Sequence, residues 1–304
     1  MTEPLRPMAQ ANRISNLLRI VLGDQRFPVQ ADQVALEYSR QCFPTSPVDK
    51  VDGQDLDGFE GMLAVNKARS KWLILYNSAV ISQGRLRFTI AHELGHYLLH
   101  RHQQDQFQCG HDDIETGERN KKDIETEADQ FASTLLMPLD DFGKQIHGHP
   151  VSFDLLGHCA DRYGVSLTAA ALRWIEIADK RAILVASRDD HMLWAKSNEA
   201  AFKSGAFFAT RKRTIELPRD ALAHSDNGST TTQSQLLQAK AWFPREPSHV
   251  ELTEMTKVAG NYDYTLTMLL MPDAEWRQPQ HDDEEPEEDT FDRFTNNGQF
   301  PDRK

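Results

Sequence analysis

Cysteine is scarce in this chain: Cys42, Cys109 and Cys159 are the only three among 304 residues, and no CxxC pair occurs. An odd, scattered set excludes a disulfide framework and fits a reducing compartment. Long apolar runs are missing too. No stretch of about 18 apolar residues exists, so no membrane-spanning helix is expected. The first residues, MTEPLRPMAQANR, have charges but no apolar stretch behind them, which argues against a secretory signal. A cytoplasmic protein is the expectation. Basic residues are outnumbered, 34 Lys and Arg against 46 Asp and Glu. The excess sits largely in residues 273–304, where eleven acids face four bases. The body of the chain is near balance, which does not suggest a general nucleic-acid binder. The acidic tail, with DDEEPEED at its centre, is expected to be disordered.

What is present organises into several segments. Residues 8–22 place Ile14, Leu17, Leu18 and Val21 at helical spacing, and a second helix is expected over 30–40. The polar stretch Asp49–Gly61 reads as loop. GMLAVN (61–66) and KWLILYN (71–77) read as a hairpin, followed by a helix from about Arg85. Residues 101–121 read as a long polar loop, and another helix is expected from Lys122 to Leu136, closed by Pro138. Two helices around Gly164-Val165-Ser166 outline a helix-turn-helix. From Arg181 the period becomes two, with AILVAS, MLWAK and YTLTMLLM as strands. The fold class expected is α+β. It comprises an N-terminal domain over 1–145, helix-turn-helix-like helices over 150–178, a small antiparallel-sheet α+β domain over 180–272, and the tail 273–304.

The chemistry concentrates in RFTIAHELGHYLLH, Arg87 to His100. His92 and His96 are one turn apart on one helix face and can converge on a single zinc ion. Glu93 then lies beside the ion, suited to take a proton from water. Chance places an acid directly after the first histidine of a His-x-x-x-His pair roughly 0.07 times in a chain of this composition. Such a zinc needs a third protein ligand. On the next helix Glu125, Ala128, Asp129 and Ala132 share a face, so Glu125 is the expected ligand, and Asp129 can receive the free ring N–H of a ligand histidine. Glu127 is the rival, on the other side of that helix. The two alanines, met by Ala91 and Gly95, imply close helix approach, which accounts for a mid-helix glycine costing about 1 kcal/mol.

RLRFTIAHELGHYLLH followed by ETEADQFASTLLMP resembles the ImmA/IrrE family of zinc metallo-endopeptidases. WLILYN and RYGVSLTAAALRW fit the same pattern, over roughly residues 8–178. The resemblance implies His92 and His96 as zinc ligands, Glu93 as general base and Glu125 as third ligand. It also implies cleavage of a helix-turn-helix transcriptional repressor, often encoded next door, which derepresses stress, mobile-element or phage-defence genes. Two features depart from the pattern: the acidic tail, and Asp129 where many members carry Asn. The competing class is a non-catalytic, zinc-stabilised transcriptional or antitoxin-like regulator; a broad-specificity peptidase is a third.

Other residues carry narrower expectations. Cys109, between the second and third ligands, can fill the open zinc position as an inhibitory donor. The strand at 72–76 can pair with an extended substrate. Tyr97, His100 and His111 are candidates for stabilising the oxyanion. Arg211, Lys212 and Arg213, near Phe207 and Phe208, can bind single-stranded DNA as an activator. The helix-turn-helix segment holds only Arg162 and Arg173, few for a DNA reader.

Overall fold

The computed structural model describes residues 6–80, 82–110, 119–210, 213–225, 232–259 and 263–274. It is a mixed α+β chain that divides into two compact units. The first comprises residues up to His149 together with His158–Ser166, and the second comprises Pro150–Gly157 and the chain from Leu167 on. The two helices outlined as a helix-turn-helix are therefore shared out between units rather than forming one of their own. The acidic tail beyond residue 274 lies outside the described residues.

The first unit opens with α1 (Pro7–Leu22), which buries Gln10, Ala11, Ile14 and Ser15 while Leu17 and Val21 stay exposed, and α2 (Ala31–Cys42), which buries Ala31, Val34, Ala35 and Ser39. Strands β1 (Val48–Gln54), β2 (Phe59–Val65), β3 (Trp72–Asn77) and β4 (Gln106–Gly110) form one sheet in the order β1-β3-β2-β4. β2 and β3 make the expected hairpin, with Leu63 opposite Ile74. The other two strands correct the loop expectations for 49–61 and 101–121. β1 is mostly polar, so it lacks the apolar alternation of a half-buried strand. Its parallel ladder to β3 overrides that weak local preference. β4 carries a single large apolar residue, Phe107, and is held by its antiparallel ladder to β2.

Two long helices follow: α3 (Gln83–Leu99) lies against β2 and β3, and α4 (Arg119–Leu136) packs on α3 and α1. Ser82 caps α3, its hydroxyl accepting from the Arg85 amide at 3.4 Å. Ile90, Leu94, Leu98, Phe131, Leu135, Leu63 and Ile74 meet in one core. The expected close approach is present. A Cβ on Gly95 would lie 3.2 Å from the Ala128 Cα, so only glycine lets the two backbones come this near. Pro138 does not merely end α4. It is the N-cap of a further helix, α5 (Leu139–Ile146).

α6 (Phe153–Tyr163) contributes to both units, and α7 (Leu167–Ile177) belongs to the second. The second unit is built on an antiparallel sheet in the order β6-β5-β9-β8-β7. Its strands are β5 (Arg181–Arg188), β6 (His191–Ser197), β7 (Gln233–Gln238), β8 (Glu251–Val258) and β9 (Thr265–Met271). β5 is buried on both faces, which explains its unbroken apolar run. Ile183 and Val185 face a cluster with Ala201, from the short helix α8 (Glu199–Lys203), and with Trp242. Ala182, Leu184 and Ala186 face Phe153, Leu156 and Ile175. Among the described residues no helix is long and apolar enough to cross a membrane.

Candidate metal centre

The site sits where α3, α4 and the strand pair β2–β4 meet. On α3 the helical period aims His92 and His96 the same way, and both are buried. Their Nε2 atoms stand 3.0 Å apart. From α4 the Glu125 Oε2 comes within 3.1 Å of His92 Nε2 and 3.4 Å of His96 Nε2. Three electronegative atoms thus form a small triangle. A tetrahedral ion with bonds of about 2.0–2.1 Å separates its donors by about 3.3 Å, close to these edges. The Cys109 Sγ belongs to the same group: all four donor atoms lie within 4.8 Å of one another. The residues present therefore fit a metal ion.

The rest of the hydrogen bonding fits the same conclusion. His92 Nδ1 is 2.8 Å from Asp129 Oδ1, and a carboxylate oxygen accepts, so the ring proton sits on Nδ1 and leaves Nε2 its lone pair. His96 Nδ1 is 3.1 Å from His100 Nδ1, and His100 Nε2 is 2.9 Å from Glu127 Oε2. Read from the carboxylate inward, His100 donates to Glu127 and accepts from His96. That again frees Nε2 of His96 for the centre. Glu127, the rival to Glu125, is thus turned to His100, and its side chain is 47% exposed against 14% for Glu125.

Glu93 lies on the same turn and is fully buried, and neither of its carboxylate oxygens makes a hydrogen bond. Burial pushes its carboxyl up to about 8, against the lowering effect of His92. Burial likewise pushes His96 down to about 4, keeping its ring neutral. For Glu125 burial acts upward, but the two imidazoles beside it, His92 and His96, outweigh it and hold the carboxyl well below the usual range. A dry pocket with two carboxylates and two imidazoles is an expensive arrangement without a cation.

Gly61 escaped the sequence reading. A Cβ there would lie 2.5 Å from Glu93 Oε1 and 2.6 Å from the Thr89 methyl, so β2 can pass over Glu93 only because this residue has no side chain. A glycine interrupting an otherwise apolar strand was the available signal. Phe107 also went unnoticed; its ring stacks on His96 at 4.7 Å with the planes 19° apart.

Other expected residues stand elsewhere. The Tyr97 hydroxyl donates to the Ser46 carbonyl at 3.0 Å, and the residue is wholly buried. It is committed to the core and does not serve as an oxyanion donor. His100 is occupied by His96 and Glu127. His111 lies outside the described residues, as do Arg211 and Lys212. Arg213 is exposed, as is Phe207, but Phe208 stacks on Phe243 at 5.0 Å and belongs to the core of the second unit. Only part of the expected basic-aromatic cluster is thus available at the surface. Arg162 binds Asp141 in the first unit and Arg173 binds Glu176 in the second, so both basic residues of α6 and α7 have intramolecular partners. β3 is paired on both sides, by β1 and β2, and offers a substrate no free edge; this corrects the expectation for 72–76.

Two imidazoles, a carboxylate from a second helix and a buried acid beside them define a metallopeptidase-like site. Residues 50–174 match the family model Peptidase_M78, described as the IrrE N-terminal-like domain. The chain thus carries an ImmA/IrrE-type peptidase domain over those residues. No curated protein matches it.

Proposed function

We propose that this chain is a zincin-like zinc endopeptidase that cleaves a helix-turn-helix transcriptional repressor. The observation that carries the reading is the triangle of His92, His96 and Glu125 beside the buried Glu93. Those three side chains would hold the zinc, which when bound supplies Lewis acidity toward a carbonyl and makes water more acidic. Glu93 takes the proton of the attacking water and passes it to the leaving amine. Its position suits this role: it is buried on the turn that carries His92 and His96, and neither carboxylate oxygen is taken by a hydrogen bond. Asp129 and His100 hold the two imidazoles in the tautomers that point Nε2 at the centre.

The outer side of β4 suits a substrate strand. It is an edge of the sheet among the described residues, and it carries Phe107 and Cys109 beside the centre. Main-chain pairing there would position a peptide without demanding a particular sequence. The repressor substrate rests on the family resemblance, and so does release of stress, mobile-element or phage-defence genes from repression.

The test uses a helix-turn-helix protein sought in the neighbouring reading frames. Wild type is expected to cut it, and Glu93→Gln with full zinc content is expected to leave it intact. Equal cutting by both proteins would remove Glu93 from the mechanism. A second reading, a non-catalytic zinc-stabilised regulator, is favoured by one observation: Cys109 makes the donor set four, and closed four-donor sites are typical of structural zinc. No cutting of any repressor by zinc-loaded wild type, with or without Cys109, would support it.

A further inference from the structure

We infer that Cys109 is a displaceable fourth donor that keeps the centre latent until it is withdrawn. This rests on the reading of His92, His96 and Glu125 as a metal centre, and adds how that centre is controlled.

The register of a strand delivers the thiol. Phe107 and Cys109 are two residues apart on β4 and so face the same side of the sheet. Phe107 packs its ring on His96, which fixes that face as the one toward α3. Two residues further on, the same face brings Cys109 Sγ within 4.8 Å of the three other donor atoms. Across the ladder Cys109 stands opposite Gly61, where the pairing of β2 shifts register. No side chain at Gly61 stands between the thiol and Glu93. The other cysteines do not share this placement: Cys42 is exposed and Cys159 is buried, and neither joins the donor group.

The chemistry follows from the count of donors. A catalytic zinc keeps one of four positions open for water, whereas a closed set leaves none. A thiolate at about 2.3 Å is a stronger donor to zinc than water. With Cys109 bound, Glu93 has no water to deprotonate. Withdrawal is feasible because β4 is short and is laddered only to β2 among the described residues. Cys109 as a residue is only partly buried although its thiol is turned inward, so the thiol becomes open to a small reagent when the strand withdraws. Alkylation by iodoacetamide forms an S–C bond and expels iodide; the resulting thioether no longer carries the charge that binds zinc.

The test replaces zinc by cobalt(II) in the full-length chain and records the absorption spectrum. Wild type and Cys42→Ala are expected to show both ligand-field bands and a near-ultraviolet thiolate-to-cobalt charge-transfer band. Cys109→Ala should keep the ligand-field bands and lose the charge-transfer band. It should also bind zinc at least about tenfold more weakly and cleave peptide at least about tenfold faster at equal zinc content. Iodoacetamide should activate wild type and leave Cys109→Ala unchanged. Ligand-field bands without a charge-transfer band in wild type would overturn the role of Cys109 while leaving the metal centre standing. Absence of any cobalt bands would overturn both.

Discussion

Gly61 and Glu93 occupy adjoining space so tightly that a single methyl on the glycine would fall 2.5 Å from the carboxylate oxygen. The backbone of β2 thus forms the roof over the proposed base. Gly61→Ala should push Glu93 aside without touching His92, His96 or Glu125. Cleavage is expected to fall by about 100-fold, the scale of a 1 Å misplacement, while bound metal stays at the wild-type level. Parallel assays of peptide cleavage and metal content check this. Full activity in the variant would show that Glu93 has slack the structure does not reveal.

The two ring-orienting contacts should differ in their tolerance. Asp129→Asn keeps an oxygen that accepts from His92 Nδ1, so zinc affinity should change little. Asp129→Ala removes the acceptor and should weaken zinc binding by about 10–100-fold. Competition titrations with a chromophoric chelator measure both. Equal losses in the two variants would mean that charge, not the hydrogen bond, is what matters at that position.

Away from the centre, Asp141 accepts from Arg162 Nε and Nη2 at 2.8 Å and from the Tyr163 hydroxyl at 2.8 Å. Burial pushes its carboxyl up, but the hydrogen bonds from Arg162 and Tyr163 and the nearby cations outweigh that and hold it below the ordinary range. A carboxyl depressed in the folded state stabilises fully above its unfolded pKa of about 4, and loses that contribution as pH falls toward the folded value. Asp141→Asn should therefore cost about 2–3 kcal/mol at neutral pH. The gap between variant and wild type should narrow below about pH 4. Urea unfolding at pH 7 and at the lowest pH where both proteins remain folded gives the comparison. A gap that widens on acidification would contradict the assignment.

The parts of this architecture that were legible in the sequence are those with strong periodicity. α3 and α4 announce themselves through apolar spacing, and the pairing of Gly95 with Ala128 through small residues on facing sides. β1 and β4 were not legible, because their stability comes from ladders to β3 and β2 and not from their own composition. The same cause hid Gly61 and Phe107. Their roles depend on which strand crosses α3, and strand order is a long-range property that local pattern does not encode. Helix phase favoured Glu125 over Glu127 without deciding between them, and the partner of Glu127, His100, emerged only with the packing of α4 on α3.

The central claim is that His92, His96 and Glu125 together hold one metal ion. Its most direct test is the metal content of purified, gel-filtered protein by elemental mass spectrometry, for wild type and for Glu125→Gln. The account predicts one zinc per wild-type chain and a large loss in the variant, with the helical circular-dichroism signal of both retained. Metal-free wild type that remains folded and cleaves its substrate, or undiminished zinc in Glu125→Gln, would contradict it.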